Sequence, residues 1–163
     1  MIFTITGTQF PFERLARSLD EWCRRHPEQE VIGQMGKDTF GPQHFIAVES
    51  YPPLEFDRVF RSASHIIAHA GMGSVLTARR FGTPIMIVPR LVSFKEHRSD
   101  HQVATANVLR GRPGIVVCDD LANFDECMDQ LLAMERGPGT TNTADPSLVT
   151  ALQRFVDFGE FPD

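Results

Sequence analysis

The sequence lacks any apolar run long enough to cross a bilayer: stretches such as Ile85-Met86-Ile87-Val88 fall far short of the ~18 residues a span needs. No basic region followed by an apolar core marks its start, which runs directly into Ile2-Phe3-Thr4-Ile5-Thr6, so no secretory signal is read and the expected location is the cytoplasm. Cysteine is scarce. Cys23, Cys118 and Cys127 cannot all pair within one chain and none lies in a C-x-x-C arrangement, which argues against a disulfide scaffold and for reduced thiols. An excess of base is also missing, since 16 basic against 21 acidic side chains leave a formal charge of -5, and nucleic acid is therefore a poor first expectation for a partner. Any phosphate must be met locally.

What is present is a chain of 163 residues, 42% hydrophobic and 23% charged, the composition of one globular domain with a real core. Short β-branched runs alternate with amphipathic ones. Strands are predicted over Ile2–Thr6, Glu30–Met35, Phe45–Val48, His65–Ala68, Ile85–Val88 and Gly114–Cys118. Helices are predicted over Phe12–Arg25, Leu54–Ala63, Ser74–Phe81, Arg98–Leu109 and Leu121–Met134, with Gly82 as a stop. Repeated βα units imply parallel strands joined by right-handed crossovers, so the expected class is α/β, a doubly wound, mainly parallel sheet. Residues 1–136 form this domain, 137–147 read as a linker without apolar periodicity, and 148–163 carry Leu148, Leu152, Phe155 and Val156 at helical spacing. That amphipathic tail is expected either to cover the domain's own core or to dock on a partner.

The most informative segment is His69-Ala70-Gly71-Met72-Gly73-Ser74, where a strand passes through a glycine turn into a helix. Such a turn gathers unpaired backbone N–H groups and the positive end of a helix dipole, which suits a phosphate. Two glycines allow close approach of an anion, and Ser74 can cap the helix or offer its hydroxyl. Familiar alternatives fail on the residues: no lysine precedes Ser74, the only lysines being Lys37 and Lys95, so it is no P-loop. Leu76 stands where a dinucleotide fingerprint wants its third glycine, and Met72-Gly73-Ser74-Val75-Leu76 lacks the first and last glycines of a hydrolase elbow.

A second polar cluster, Glu96-His97-Arg98-Ser99-Asp100-His101-Gln102, opens the next helix near the same sheet edge. His97 and His101, four apart, could share a metal, but a third ligand is not nominated, so no metal is expected and a metal-dependent hydrolase is the alternative reading. His65 and His69 do not share a helical face, and only His69 adjoins the turn. Gly7-Thr8 after the first strand could face the same ligand, and Arg90 could offer a planar fork to phosphate or carboxylate.

The run His69–Ser74, then Gly82-Thr83-Pro84, Val88-Pro89-Arg90, Glu96-His97 and Asp100-His101-Gln102 resembles the C-terminal, donor-binding half of family 28 glycosyltransferases, most of all the small subunits of exopolysaccharide synthesis. The small subunit of the dolichol-linked GlcNAc transferase is similar. The resemblance implies a Rossmann-like single half of a GT-B fold and a hexosyltransferase that takes a UDP-sugar as donor and requires no cofactor. It implies a membrane-associated partner subunit that binds a lipid-linked saccharide acceptor, holds the catalytic base and brings this chain to the inner face of the membrane. Residues around Tyr51 and Pro53 would pass the uracil, Gly71, Met72, Gly73 and Ser74 would hold diphosphate, and His101 with Gln102 would reach the sugar or its phosphates. His69 and Arg90 would stabilise the leaving group. Many family members carry a glutamate for the ribose hydroxyls where this sequence has Thr77, so ribose contact passes to Thr77, Glu96 or another group. A non-catalytic UDP-binding module is the remaining alternative.

Overall fold

The computed structural model describes residues 1–7, 10–37 and 40–140; the amphipathic tail assigned to 148–163 lies outside them. Among these residues six strands form one sheet, β1 (Ile2–Ile5), β2 (Val31–Gln34), β3 (Ile46–Val48), β4 (His65–His69), β5 (Ile85–Val88) and β6 (Ile115–Val117). Their order is β3-β2-β1-β4-β5-β6 and every pair is parallel, with Ile2 in register with Val31 on one side and His65 on the other. β1 is buried along its whole length, as its central place demands and as its Ile-Phe-Thr-Ile composition permits.

Among the described residues five α-helices cover the two faces: α1 (Glu13–Arg25), α2 (Pro53–Ser62), α3 (Met72–Phe81), α4 (His101–Leu109) and α5 (Phe124–Leu132). One core layer packs Phe12, Leu15, Leu19 and Trp22 of the α1 region with Phe124, Met128 and Leu131 of α5 onto the sheet. The other packs Phe60 of α2, Val75 and Ala78 of α3, and Ala106 and Leu109 of α4 onto Phe3, Ile66 and Ile87. Each fully buried large side chain contributes roughly 1.5–3 kcal/mol by removal from water, so both layers are needed to hold a short-stranded sheet. The crossovers from β1 and β4 therefore leave on opposite faces, and the crevice between their carboxyl ends is the switch point of the sheet.

The α/β expectation holds, with two local differences. The described residues between β2 and β3 contain no helix, in keeping with a sequence that predicts none there; Asp20 of α1 ties that connection down, accepting from the backbone N–H groups of Gln43 (2.8 Å) and His44 (2.7 Å). Helix α3 begins at Met72, two residues before the predicted start, and α4 begins at His101, three residues after it. Of the segment read as a linker, residues 137–140 are described, and they are docked. The Gly137 N–H donates to Gly82 O (2.8 Å), and the Thr140 N–H and hydroxyl donate to Arg79 O at 3.1 and 3.3 Å. Gly82 caps α3 in the left-handed region (φ 65°), where glycine is favoured.

Candidate functional site

Three loops leave the carboxyl ends of β1, β4 and β5 and enclose a cavity of about 360 Å³ lined by Thr6, Gly7, Phe10, His69, Gly71, Arg90, His97, His101 and Gln102. Among the described residues no carboxylate lines it. This is the switch point, and of the residues singled out in the sequence it brings together Gly7, His69, Gly71, Arg90, His97, His101 and Gln102.

His69 ends β4 and is wedged between the two glycine loops. A Cβ on Gly71 would stand 2.3 Å from its Nε2, and one on Gly7 would stand 3.0 Å from its Cε1, so the ring takes its place because both positions lack side chains. Burial pushes its pKa down, opposed by a bond of Nδ1 to Ile5 O (3.4 Å) and reinforced by the charges of Arg90 and His97. The ring is neutral at pH 7, and with Nδ1–H given to the carbonyl, Nε2 carries the lone pair. His97 is also held down, by desolvation first and then by the neighbouring His101, Arg90 and Arg98. Its Nδ1 accepts from the Ser99 N–H (3.4 Å), which leaves Nε2–H as the donor of the neutral ring.

Arg90 was expected to reach an anion with its planar fork, and its geometry is different. It is 3% exposed. Nη1 donates to Pro11 O (2.7 Å) and Glu96 O (3.2 Å), and Nη2 donates to Phe10 O (2.7 Å) and Thr6 O, while the guanidinium lies 4.5 Å from the Phe12 ring centre. All four terminal N–H groups are thus directed at carbonyl oxygens of the two flanking loops. Arg90 walls the cavity and lends it positive charge, and its fork is used by the backbone.

Glu96 is likewise turned away. Its carboxylate takes a bidentate pair from Arg14 (2.9 and 3.0 Å) and the Leu91 N–H (3.0 Å), and it does not line the cavity. Thr77 donates its hydroxyl to Gly73 O one turn back in α3 (2.8 Å), and Asp100 accepts from the Val92 N–H (3.0 Å). Tyr51 packs edge-on against Phe3 at 6.2 Å and Pro53 opens α2; neither lines the cavity, and Thr8 lies outside the described residues.

The glycine turn itself keeps its donors. The Ala70 N–H is taken by Val88 O and the Gly71 N–H by His69 O, but those of Met72, Gly73 and Ser74 have no acceptor among the described residues, and no side chain caps α3. Ser74, read as a possible cap, sits inside the helix because Gly71 is the N-cap residue. Met72, Gly73 and Ser74 do not line the cavity, but their three first-turn N–H groups follow directly on Gly71, which does, with the dipole of a ten-residue helix behind them. Gln102 accepts the Arg90 N–H on Oε1 (3.1 Å), and its side-chain nitrogen has no acceptor among the described residues. Ser99 Oγ lies 2.9 Å from His101 Nδ1 and sets that ring's orientation.

Sequence reasoning missed Phe10, Thr6 and Ser99. Phe10 lines the cavity with its ring 5.6 Å from that of His97; an aromatic residue in a loop has no periodicity to betray it. The rings of His97 and His101 are 4.5 Å apart, yet no group of three or more His, Cys, Asp or Glu side chains able to hold a metal occurs among the described residues. No helix there is long and apolar enough to cross a membrane.

Compared with known proteins, residues 1–136 match the glycosyltransferase family 28 C-terminal domain. Among solved structures, the glycosyltransferase of kitacinnamycin superposes with a TM-score of 0.62 at 14% identity, over 81% of this chain and 35% of that one. The solution structure of ALG13 gives 0.62 at 14% identity, over 94% and 93% of the two chains. A UDP-glucose: anthocyanidin 3-O-glucosyltransferase in complex with UDP gives 0.57 at 16% identity, over 83% and 32%. At these identities the likeness is one of fold. The chain spans about a third of the length of the first and last of these and nearly all of ALG13. No curated protein sequence matches it.

Proposed function

The chain belongs to the glycosyltransferase family 28 C-terminal domain family, and from that premise we propose that it is the donor-binding subunit of a two-component, UDP-sugar-dependent hexosyltransferase. The observation that carries the reading is the switch-point cavity lined by Gly71, His69 and Arg90, with no carboxylate on it and no acceptor for the first three N–H groups of the adjoining α3 among the described residues. Such a seat fits a diphosphate, which brings two adjacent negative charges and acceptors in every direction. The solved relative that holds UDP on the same fold supports a uridine nucleotide.

In this reading the Met72, Gly73 and Ser74 amides and the dipole of α3 take the diphosphate. His101 and Gln102 turn their remaining nitrogens toward the sugar. An acceptor hydroxyl oxygen bonds to the anomeric carbon as the bond from that carbon to the diphosphate oxygen breaks, and UDP departs with the electron pair. Charge grows on the diphosphate as that happens, and fixed N–H groups aimed at it lower the barrier. A bound diphosphate also raises the His69 pKa, so on donor binding the ring takes a proton from solvent onto Nε2 and offers it as a hydrogen bond to the departing diphosphate. The hydroxyl proton goes to a base on the acceptor side, which a membrane-associated partner subunit supplies together with the lipid-linked saccharide of exopolysaccharide synthesis.

Calorimetric titration of the full chain with UDP, UDP-glucose, UDP-GlcNAc, UDP-glucuronate and NAD tests the donor reading: uridine diphosphates bind and NAD does not. Binding of NAD alone, or of none of the five, overturns it. Full-rate transfer to a lipid-linked acceptor by the chain alone would overturn the division between subunits.

A further inference from the structure

A second cavity, of about 370 Å³, lies at the opposite end of the sheet from the donor site, where α3 ends and β5 and β6 begin. Its walls include Arg79, Arg112, Thr83 and residues 137–140. Arg61 and Arg80 adjoin it, their guanidinium carbons 4.8 and 5.2 Å from the centre of the same Phe81 ring, and Arg136 joins the group by donating to Arg61 O (2.9 Å) and Ala63 O (2.6 Å). Five exposed arginines thus share one end of a chain whose net charge is negative.

Among the described residues none of the five has a carboxylate partner, whereas Arg14, Arg17, Arg24, Arg25 and Arg110 all do. Favourable placement at helix C-termini accounts for Arg61, Arg79 and Arg80, which stand in the last turns of α2 and α3. It does not account for Arg112 and Arg136, which follow α4 and α5 in connecting segments. Glu135 is the one acid on the cavity wall, and it forms no ion pair among the described residues.

The described chain ends at this place. Gly139 is pressed so closely on α3 that a Cβ there would meet Arg80 O at 2.3 Å, and Thr140 is held by two bonds to Arg79 O. Residues 141–163 therefore start beside the arginines. That segment carries Asp145, Asp157, Glu160 and Asp163 against the single Arg154.

We propose that the arginine cluster formed by Arg61, Arg79, Arg80, Arg112 and Arg136 is the docking surface for the chain's own acidic segment, residues 141–163. Tethering at Thr140 gives that segment a local concentration on the order of millimolar, so individually weak ion pairs suffice to hold it there. The alternative occupants, a second copy of the chain or a docking held by apolar contact alone, differ in concentration dependence and in response to salt.

Paramagnetic relaxation on the full chain decides among them. A nitroxide on Gly159→Cys, with the three native cysteines buried, is expected to broaden the amide signals of Arg79–Thr83 and Arg112–Gly114 at low salt. Those signals recover at about 1 M salt, where the Debye length falls to roughly 3 Å, and also in the Arg79→Gln, Arg80→Gln, Arg112→Gln triple variant. Absence of broadening at low salt overturns the proposal, as does broadening that survives both salt and the triple variant. Equal broadening of unlabelled chain by labelled chain overturns it too, by assigning the surface to a second copy.

Discussion

The two ends of the sheet use arginine in opposite ways. At the carboxyl end of the strands Arg90 is 3% exposed and all four terminal N–H groups meet backbone carbonyls, so its fork is spent on shaping the loops around the switch-point cavity. At the amino end Arg79, Arg80 and Arg112 are exposed, with no carboxylate on any of them among the described residues. The difference follows from solvation: a guanidinium taken out of water must have its donors satisfied by the protein, and one left in water keeps them for a visitor. A buried arginine on a cavity wall is therefore weak evidence of ligand contact, and an exposed cluster is the better candidate for recruitment.

The largest test of that contrast is Arg90→Met, which leaves four carbonyls without their donor. It is expected to cost about 3 kcal/mol or more, read as a fall in the urea midpoint; an unchanged midpoint would break the comparison at its buried end. Gly71→Ala comes next, because its Cβ must displace the His69 ring that it would meet at 2.3 Å. UDP affinity should drop by about tenfold or more in calorimetry. Gly73→Ala is the matched control: nothing lies within 4 Å of its Cβ, and the unfolding midpoint should hold or rise.

A smaller effect is expected from pH. Burial holds the folded His69 pKa below its unfolded value, so the unfolded chain binds more protons as pH falls below about 6.5. Stability is then fully present above that pH and is lost as pH falls toward the folded pKa. A diphosphate in the cavity reverses the preference, so UDP binding should take up protons, visible as a buffer-dependent calorimetric heat that His69→Gln removes. The smallest change belongs to the exposed end: Arg79→Gln with Arg112→Gln should move stability by less than about 0.5 kcal/mol. A large loss there would show these arginines to be structural after all, and the two ends would no longer differ.

The fold was legible because its signals are local. Short β-branched runs mark the strands, with Pro84 and Pro89 bounding β5 and Gly114 opening β6, and the 3.6-residue stripes of Leu15, Leu19, Trp22 and of Phe56, Phe60 mark helices facing a core. The start of α3 was misplaced because Gly73 is a poor helix former and Ser74 after it has the chemistry of an N-cap, whereas the helix starts at Met72 with Gly71 as its N-cap residue. In the site, residue types were legible and their partners were not. Arg90 meets carbonyls 79 to 84 positions earlier in the chain, and Arg14 reaches Glu96 across 82 positions, separations no motif encodes. Glu96 looked like a ligand because it is a carboxylate beside histidines; its use in an ion pair depends on the approach of α1.

One consequence of the Arg90 bonds concerns motion. The same guanidinium grips the connection after β1 at Thr6, Phe10 and Pro11 and the connection after β5 at Glu96, so neither can swing outward without breaking bonds to the other. On that side the mouth of the crevice moves as one piece, so any opening must carry both connections together.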